Sequence, residues 1–270
     1  TFVLLLFYSG LLFSATIYID PTNTASGQNG TISNPYSSWS SVAFVNGNTY
    51  LQKRGTTYYS YNRLYINSRS NVTIGAYGSG DRPKFSYTGY DYAIRLNASS
   101  GCTIENFEIN GNAGAMALVG IMGSSGAYSA NNKVDNCHLY NAHNSGNGGF
   151  GVYSLYNNNL EILNTEIHNV ALDGMYLRYT PDVTIGYCNV YDINRRYFTN
   201  PNESISSGDG IQLDGDWDGF HIHHTIIDRT NGAGNKYNLI LAGPDGVPDN
   251  SNGIIEHCTF INGANVTSAV

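Results

Sequence analysis

The residues best suited to chemistry gather between positions 206 and 237. The run Ser206-Ser207-Gly208-Asp209-Gly210-Ile211-Gln212-Leu213-Asp214-Gly215-Asp216-Trp217-Asp218-Gly219 carries four aspartates within ten residues, separated by turn-forming glycines. Carboxylate oxygens at such bends, from Asp209, Asp214, Asp216 and Asp218, can supply the hard ligands that Ca2+ takes. The spacing is not that of an EF-hand loop, and Asp and Gly also serve bends that bind nothing. Asp209 and Asp214, near opposite ends of one short strand, are equally an acid and base pair of the type that hydrolyses glycosides. Downstream, Asp228-Arg229-Thr230-Asn231-Gly232-Ala233-Gly234-Asn235-Lys236-Tyr237 places Lys236, one of four lysines, in a Gly/Asn-rich loop. A lysine acts as a base once burial or neighbouring cations remove its proton. Phe220-His221-Ile222-His223-His224 offers imidazoles. Alternation points His221 and His223 outward, yet no third metal ligand follows from sequence, and solvated surface histidines are the plainer account.

The elements that position these groups are given by a repeat. Ile104-x-Asn106-Phe107-x-Ile109 recurs as Val134-x-Asn136-Cys137-x-Leu139, Ile162-x-Asn164-Thr165-x-Ile167, Ile185-x-Tyr187-Cys188-x-Val190, Ile222-x-His224-Thr225-x-Ile227 and Ile255-x-His257-Cys258-x-Phe260, at offsets of 30, 28, 23, 37 and 33 residues. Asn71-Val72-Thr73-Ile74-Gly75 is a less regular earlier copy. Most copies follow a second short strand: Ile94-Arg95-Leu96, Val152-Tyr153-Ser154, Met175-Tyr176-Leu177, Ile211-Gln212-Leu213. Strands this short, turned at a period of tens of residues, cannot bury their apolar positions alone and must stack into a solenoid. A propeller needs longer strands, and there is no leucine-rich consensus. The predicted fold is all-β, a single-stranded parallel β-helix. The position after the first strand reads Asn106, Asn136, Asn164, Tyr187, His224, His257; stacked Asn amides can bond one another and tolerate a left-handed backbone.

Aligning the coils sets Arg178 beside Asp214 and Tyr176 beside Gln212, with Tyr153 one coil earlier. Tyrosine faces are flat amphipathic platforms. An outward column of Tyr153, Tyr176 and Gln212 flanked by Arg178 and Asp214 has the make-up of a saccharide groove; a plain tyrosine ladder with a surface ion pair is the alternative. Glu108, His138 and Glu166 share another outward column, expected to be a surface charge ladder worth little. Cys137, Cys188 and Cys258 share an inward column two coils apart, roughly 10 Å at the strand spacing. That exceeds the ~7 Å reach of a disulfide, so free, buried thiols are expected.

The repeat with its asparagine positions, over about residues 70–262, resembles the right-handed parallel β-helix of the pectate-lyase-like superfamily. Tyr18-Ile19-Asp20-Pro21, Trp39, Lys53-Arg54-Gly55-Thr56-Thr57-Tyr58 and Ile74-Gly75-Ala76-Tyr77-Gly78 resemble the opening segment of secreted carbohydrate-active members. The resemblance implies a polysaccharide lyase acting on acidic glycans. In such chemistry Ca2+ or an arginine neutralises a uronate carboxylate, a Lys or Arg removes the C5 proton, and the 4-linked sugar leaves. On this chain Lys236 would be the base, Arg229 or Arg178 would face the carboxylate, and Arg195 and Arg196, in the longest loop between copies, would add cations to the cleft. The adjacent aspartates and His-Gly turn of the superfamily's polygalacturonases are absent, as is the epimerase-type Tyr-Gly-x-Asp. The superfamily also contains non-catalytic members, so a glycan-binding or adhesion β-helix is the alternative, and a hydrolase using paired Asp a further one.

Composition agrees with this class. The chain has 270 residues, 12% of them charged, with 31 Gly, 22 Tyr and a formal charge of -7. Low charge with many aromatics excludes disorder, and the acidic balance argues against a nucleic-acid partner. Residues 2–13 form an apolar run too short for a membrane span and suited to the core of a secretory signal over 1–15. The expected organisation is that leader, an N-terminal segment with the first coils over 16–91, and repeated coils over 92–270 continuous with it. There is no initiator Met, and the chain stops at Ser268-Ala269-Val270 just after a motif copy without a polar capping segment, so both ends are expected to be cuts. The expected molecule is an elongated monomer, secreted or at the cell surface, whose partner is an extracellular polysaccharide.

Overall fold

The described residues of the structure, a computed structural model, are 14–143, 148–194, 208–230, 237–242, 252–262 and 267–269. Among them the chain winds as a parallel β-helix with three faces. The first sheet has nine strands, from Thr16–Ile19 to Ile254–Glu256, and the second and third have eight each. The second runs from Leu64–Asn67 to Thr267–Ala269 and the third from Thr57–Ser60 to Thr259–Ile261. Each coil passes from the second sheet to the first and then to the third. Tyr92–Asn97, Thr103–Glu105 and Glu108–Asn110 make one such coil, and Ala117–Met122 begins the next above it.

The repeat places one apolar residue of each coil over the last. In the first sheet Ile74, Ile104, Val134, Ile162, Ile185 and Ile222 stand in register, each at most 1% exposed. In the third, Phe85, Ile109, Leu139, Ile167, Val190 and Ile227 do the same. Both columns belong to one buried core, so a large-to-small change in either opens a cavity costing roughly 2–5 kcal/mol.

The corner between first and third sheets is a single residue in the left-handed region. Asn106, Asn136, Asn164, Tyr187, His224 and His257 all have φ between 48° and 58°, as the repeat implies. The amide ladder is shorter than the sequence suggests. Asn136 Nδ2 donates to Asn106 Oδ1 at 2.7 Å, but Asn164 Nδ2 turns to Asp135 Oδ1 at 2.8 Å. From Tyr187 onward the column is aromatic instead, with Tyr187 on His224 and His224 on His257, both at 4.8 Å between ring centres. Stacked rings replace amide bonds in filling the same corner.

All four cysteines are free. Burial pushes the Cys137 and Cys188 thiols up to about 12, which keeps them protonated and inert. Cys258, expected to be buried, is only partly so. Ile254 and Ile255 on the same coil are exposed too, so this coil lacks the cover that the interior ones have.

Candidate functional site

The outward face of the second sheet collects the aromatic and cationic residues. Its register is Tyr65, Arg95, Gly120, Tyr153, Tyr176, Gln212 and Ile240 on successive strands. Beside it runs Asn67, Asn97, Met122, Leu155, Arg178 and Asp214. The pairings expected from the sequence, Tyr153 with Tyr176, Tyr176 with Gln212 and Arg178 with Asp214, are all present.

Tyr153 and Tyr176 stack at 5.4 Å and 27°, and Phe150 packs against both at 5.2 and 5.7 Å. Tyr92 extends the strip at 6.2 Å from Tyr153. It lies across Gly120, where a Cβ would meet the Tyr92 ring at 2.2 Å, so a residue without a side chain is required there. Beyond Tyr92 comes Arg95, its guanidinium 5.0 Å from the Tyr92 ring and 5.7 Å from that of Tyr65. Arg63 sits 4.7 Å over the other end of Tyr65 and pairs with Asp91. There the strip opens into a cleft of about 520 Å3 lined by Tyr61, Asn62, Arg63, Tyr87, Tyr90 and Asp91. Arg95 donates to Asn97 Oδ1 at 3.0 Å. No carboxylate among the described residues forms an ion pair with it, so its charge is held by ring faces and open to an anionic ligand.

At the other end of the strip, Tyr176 Oη donates to Asp214 Oδ2 at 2.7 Å and Arg178 Nε pairs with the same oxygen at 3.2 Å. Burial and then the Asp214 carboxylate push the Tyr176 phenol up, so it keeps its proton. A phenol held this way keeps its proton directed at Asp214 and anchors that carboxylate; it is not a base.

The remaining sequence candidates lie elsewhere. Arg229 does not face this groove. It is inside the coil, with its Nη1 donating to the carbonyls of Gly208 at 2.8 Å and Tyr237 at 3.2 Å and lying 3.7 Å from Asp209 Oδ1. Asp209 is fully buried and accepts the Tyr237 N–H at 2.8 Å. The two charges thus lie inside the coil as a pair, so Arg229 is corrected from a substrate contact to an internal one. Asp209 is likewise removed from both the acid/base pair and the Ca2+ set. The four aspartates do not converge: Asp214 faces Tyr176 and Arg178, while Asp216 and Asp218 accept from the backbone N–H groups of Asp218 and Gly219. These residues do not fit a Ca2+ shell. Lys236, Arg195 and Arg196 lie outside the described residues.

The sequence reading missed Arg95 and Tyr92. The signal was present in Tyr92-Ala93-Ile94-Arg95-Leu96, because counting three strands back from Tyr176 brings Arg95 onto the same face. His221, on the first sheet, bonds Glu256 Oε1 at 2.9 Å, so the histidine segment has a carboxylate partner that spacing did not reveal.

Among the described residues no helix is long and apolar enough to cross a membrane. The family described as "right handed beta helix region" matches residues 81–269. Solved structures share the fold at low identity. A lacto-N-biosidase from Eubacterium ramulus superposes with a TM-score of 0.68 at 13% identity, over 93% of this chain and 57% of that one. The A-module of a mannuronan C-5 epimerase from Azotobacter vinelandii gives 0.56 at 15%, over 82% and 61%. A pectate lyase gives 0.53 at 16%, over 96% and 80%. The chain thus spans little more than half the length of the lacto-N-biosidase structure. No curated protein matches the chain in sequence.

Proposed function

The chain belongs to the right-handed β-helix family, and from that premise we propose that it is an extracellular, polysaccharide-active β-helix that holds an acidic glycan along the outer face of its second sheet. The observation that carries this reading is the strip from Tyr65 to Tyr176, with Arg95 seated on two of its rings and Arg178 at its far end. Aromatic faces take the apolar faces of sugar rings, and a guanidinium accepts a carboxylate through two parallel N–H bonds. Arg95 is the guanidinium open to such a carboxylate, while Arg178, three strands away or about 14 Å at the strand spacing, is held by Asp214 at the far end of the strip.

Elimination is the reaction this surface supports best. An arginine paired with the uronate carboxylate stabilises the charge that develops when the C5 proton leaves. The C4–O4 bond then breaks, a C4–C5 double bond forms, and the departing O4 takes a proton. Arg95 suits the first role, water can supply the proton that O4 takes, and Lys236 stays the candidate base. Hydrolysis by Asp209 and Asp214 is not supported, because Asp209 is shut inside the coil. The fold relatives named for saccharide chemistry, a lacto-N-biosidase, a mannuronan C-5 epimerase and a pectate lyase, are consistent with a carbohydrate partner.

The test is a panel of acidic and neutral polysaccharides read by the ultraviolet absorbance of unsaturated uronate, beside binding by affinity electrophoresis. Absorbance rising on a polyuronate, and falling at least 10-fold in Arg95→Ala and Lys236→Ala, supports the lyase. Binding that needs Arg95 and Tyr176 but yields no product turns the reading to a glycan-binding β-helix. Retardation by neutral and acidic chains alike, unchanged in Arg95→Ala, overturns the acidic specificity.

A further inference from the structure

On the third sheet, away from the aromatic strip, His138 opposes Glu166 on the next strand, and His168 follows Glu166 by two residues on the same face. The sequence reading made Glu108, His138 and Glu166 a solvated charge ladder. In the structure all three are half-buried and closely partnered. His138 Nε2 and His168 Nε2 are 2.8 Å apart, and one ligand atom from each of His138, Glu166 and His168 lies within 4.8 Å of the others. Among the described residues this is the one group of three or more His, Cys, Asp or Glu side chains to converge in this way.

The surroundings hold the three groups in place. The His168 ring is stacked between Tyr140, at 5.3 Å and 4°, and Tyr191, at 4.8 Å and 8°. His138 stacks on Tyr140 at 4.7 Å. Tyr191 Oη donates to Glu166 Oε1 at 2.5 Å, which orients the carboxylate and leaves its second oxygen available. Glu108, the next carboxylate along the column, is already taken by Lys84 at 2.8 Å and by Tyr140 Oη at 2.5 Å.

We propose that His138, Glu166 and His168 form a binding site for a divalent transition-metal ion of the zinc type, linking two successive coils of the helix. Two imidazole nitrogens and one carboxylate oxygen suit such ions, whereas Ca2+ and Mg2+ take oxygen ligands. Nitrogens at ~2.0–2.1 Å from one ion in tetrahedral geometry stand about 3.3 Å apart. The imidazole pair therefore has to open by only about half an ångström. Three protein ligands leave a coordination position for water or another group, and the hydroxyl of Tyr191 on Glu166 is the kind of outer partner that fixes a ligand's orientation.

The experiment titrates Zn2+ into the whole, chelator-stripped protein by calorimetry, with Co2+ absorption as a second reading of the ligand set. One equivalent is expected to bind, with a Co2+ spectrum free of thiolate charge-transfer bands. Affinity should fall at least 30-fold in His168→Gln and His138→Gln and be unchanged in His221→Ala, whose ring lies on the first sheet. Saturating Zn2+ should raise the Tm of the wild type and not that of Glu166→Gln, a comparison that stands even if a histidine variant folds poorly. No Zn2+ binding, binding unaffected by the His138 and His168 variants, or binding lost in His221→Ala or Cys258→Ala would each overturn the site.

Discussion

Arg229 and Asp209 face each other inside the coil, 3.7 Å from Nη1 to Oδ1, with side chains 2% and 0% exposed. Asp173 adds a second carboxyl to this interior, accepting the Asp209 N–H at 2.5 Å. Burial lowers the proton affinity of the Arg229 guanidinium, and Asp209 and Asp173 work against that, so the charge stays and is neutralised inside the coil. Such a pair is costly to break from one side, because the remaining charge is left in a low-dielectric interior.

Arg229→Ala should therefore destabilise the fold by roughly 3–5 kcal/mol, and Asp209→Asn by a similar order. Replacing both with apolar residues should cost less than the two single changes together. Urea unfolding of the three variants measures this. Glycan binding by whatever fraction stays folded in Arg229→Ala should match the wild type, since the residue touches interior backbone and not the groove. A selective loss of binding with full stability would return Arg229 to the site.

The thiols give a simple count. Cys137 and Cys188, held at about 12 by burial, and Cys102, 1% exposed with its thiol also pushed up by burial, should not react with an aromatic disulfide reagent at pH 8. Partly exposed Cys258 should react alone and quickly. The expected stoichiometry is one thiol in the native protein and four in denaturant. More than one fast thiol in the native state would mean that the coil interior opens to solvent.

Acid should weaken the fold through two carboxylates. Burial works to raise Glu108 and Asp20, but Lys84 and Tyr140 for the first, and Lys53 and Thr22 for the second, more than offset it and hold both below the usual carboxylate range. A carboxyl depressed in the folded state contributes stability that is fully present above its unfolded value, about 4, and lost as pH falls through the folded value. Tm should therefore hold from pH 7 to about 5 and fall below about 4. Glu108→Gln and Asp20→Asn should each be less stable at neutral pH, with a shallower decline in acid. Equal slopes in wild type and variants would show that other groups carry the acid response.

The β-helix was legible because its cause is periodic. An apolar residue two before a left-handed corner and an apolar residue three after it, as in Ile104, Asn106 and Ile109, recur whatever the loop between coils does. Register then follows, and so Tyr153, Tyr176, Arg178 and Asp214 were found in the right columns. What spacing does not encode is where a charged loop residue turns. Asp209 and Arg229 have the composition of a surface site, yet they lie buried and paired inside the coil. His138, Glu166 and His168 have the composition of a charge ladder, yet Tyr140 and Tyr191 close over them. These outcomes depend on loop length and on neighbours one coil away, which differ at every repeat.

The aromatic strip rests on a missing side chain. Gly120 occupies the outward column between Arg95 and Tyr153, and a Cβ there would fall 2.2 Å from the Tyr92 ring. That ring is 6% exposed and bears Arg95 on one side, so it has little room to retreat. Gly120→Val should cost roughly 1–3 kcal/mol in stability from overpacking. It should also shift Tyr92 away from Tyr153 and unseat Arg95. Affinity for an acidic polysaccharide should drop about 10-fold, equivalent to about 1.4 kcal/mol, as in Arg95→Ala. Gly126→Ala, where nothing lies within 4 Å of the added carbon, should change neither quantity. Affinity electrophoresis and thermal melts on the three variants decide the matter. If Gly120→Val binds acidic glycan as the wild type does, the ligand does not run across Tyr92, and the groove is confined to Tyr153, Tyr176 and Arg178.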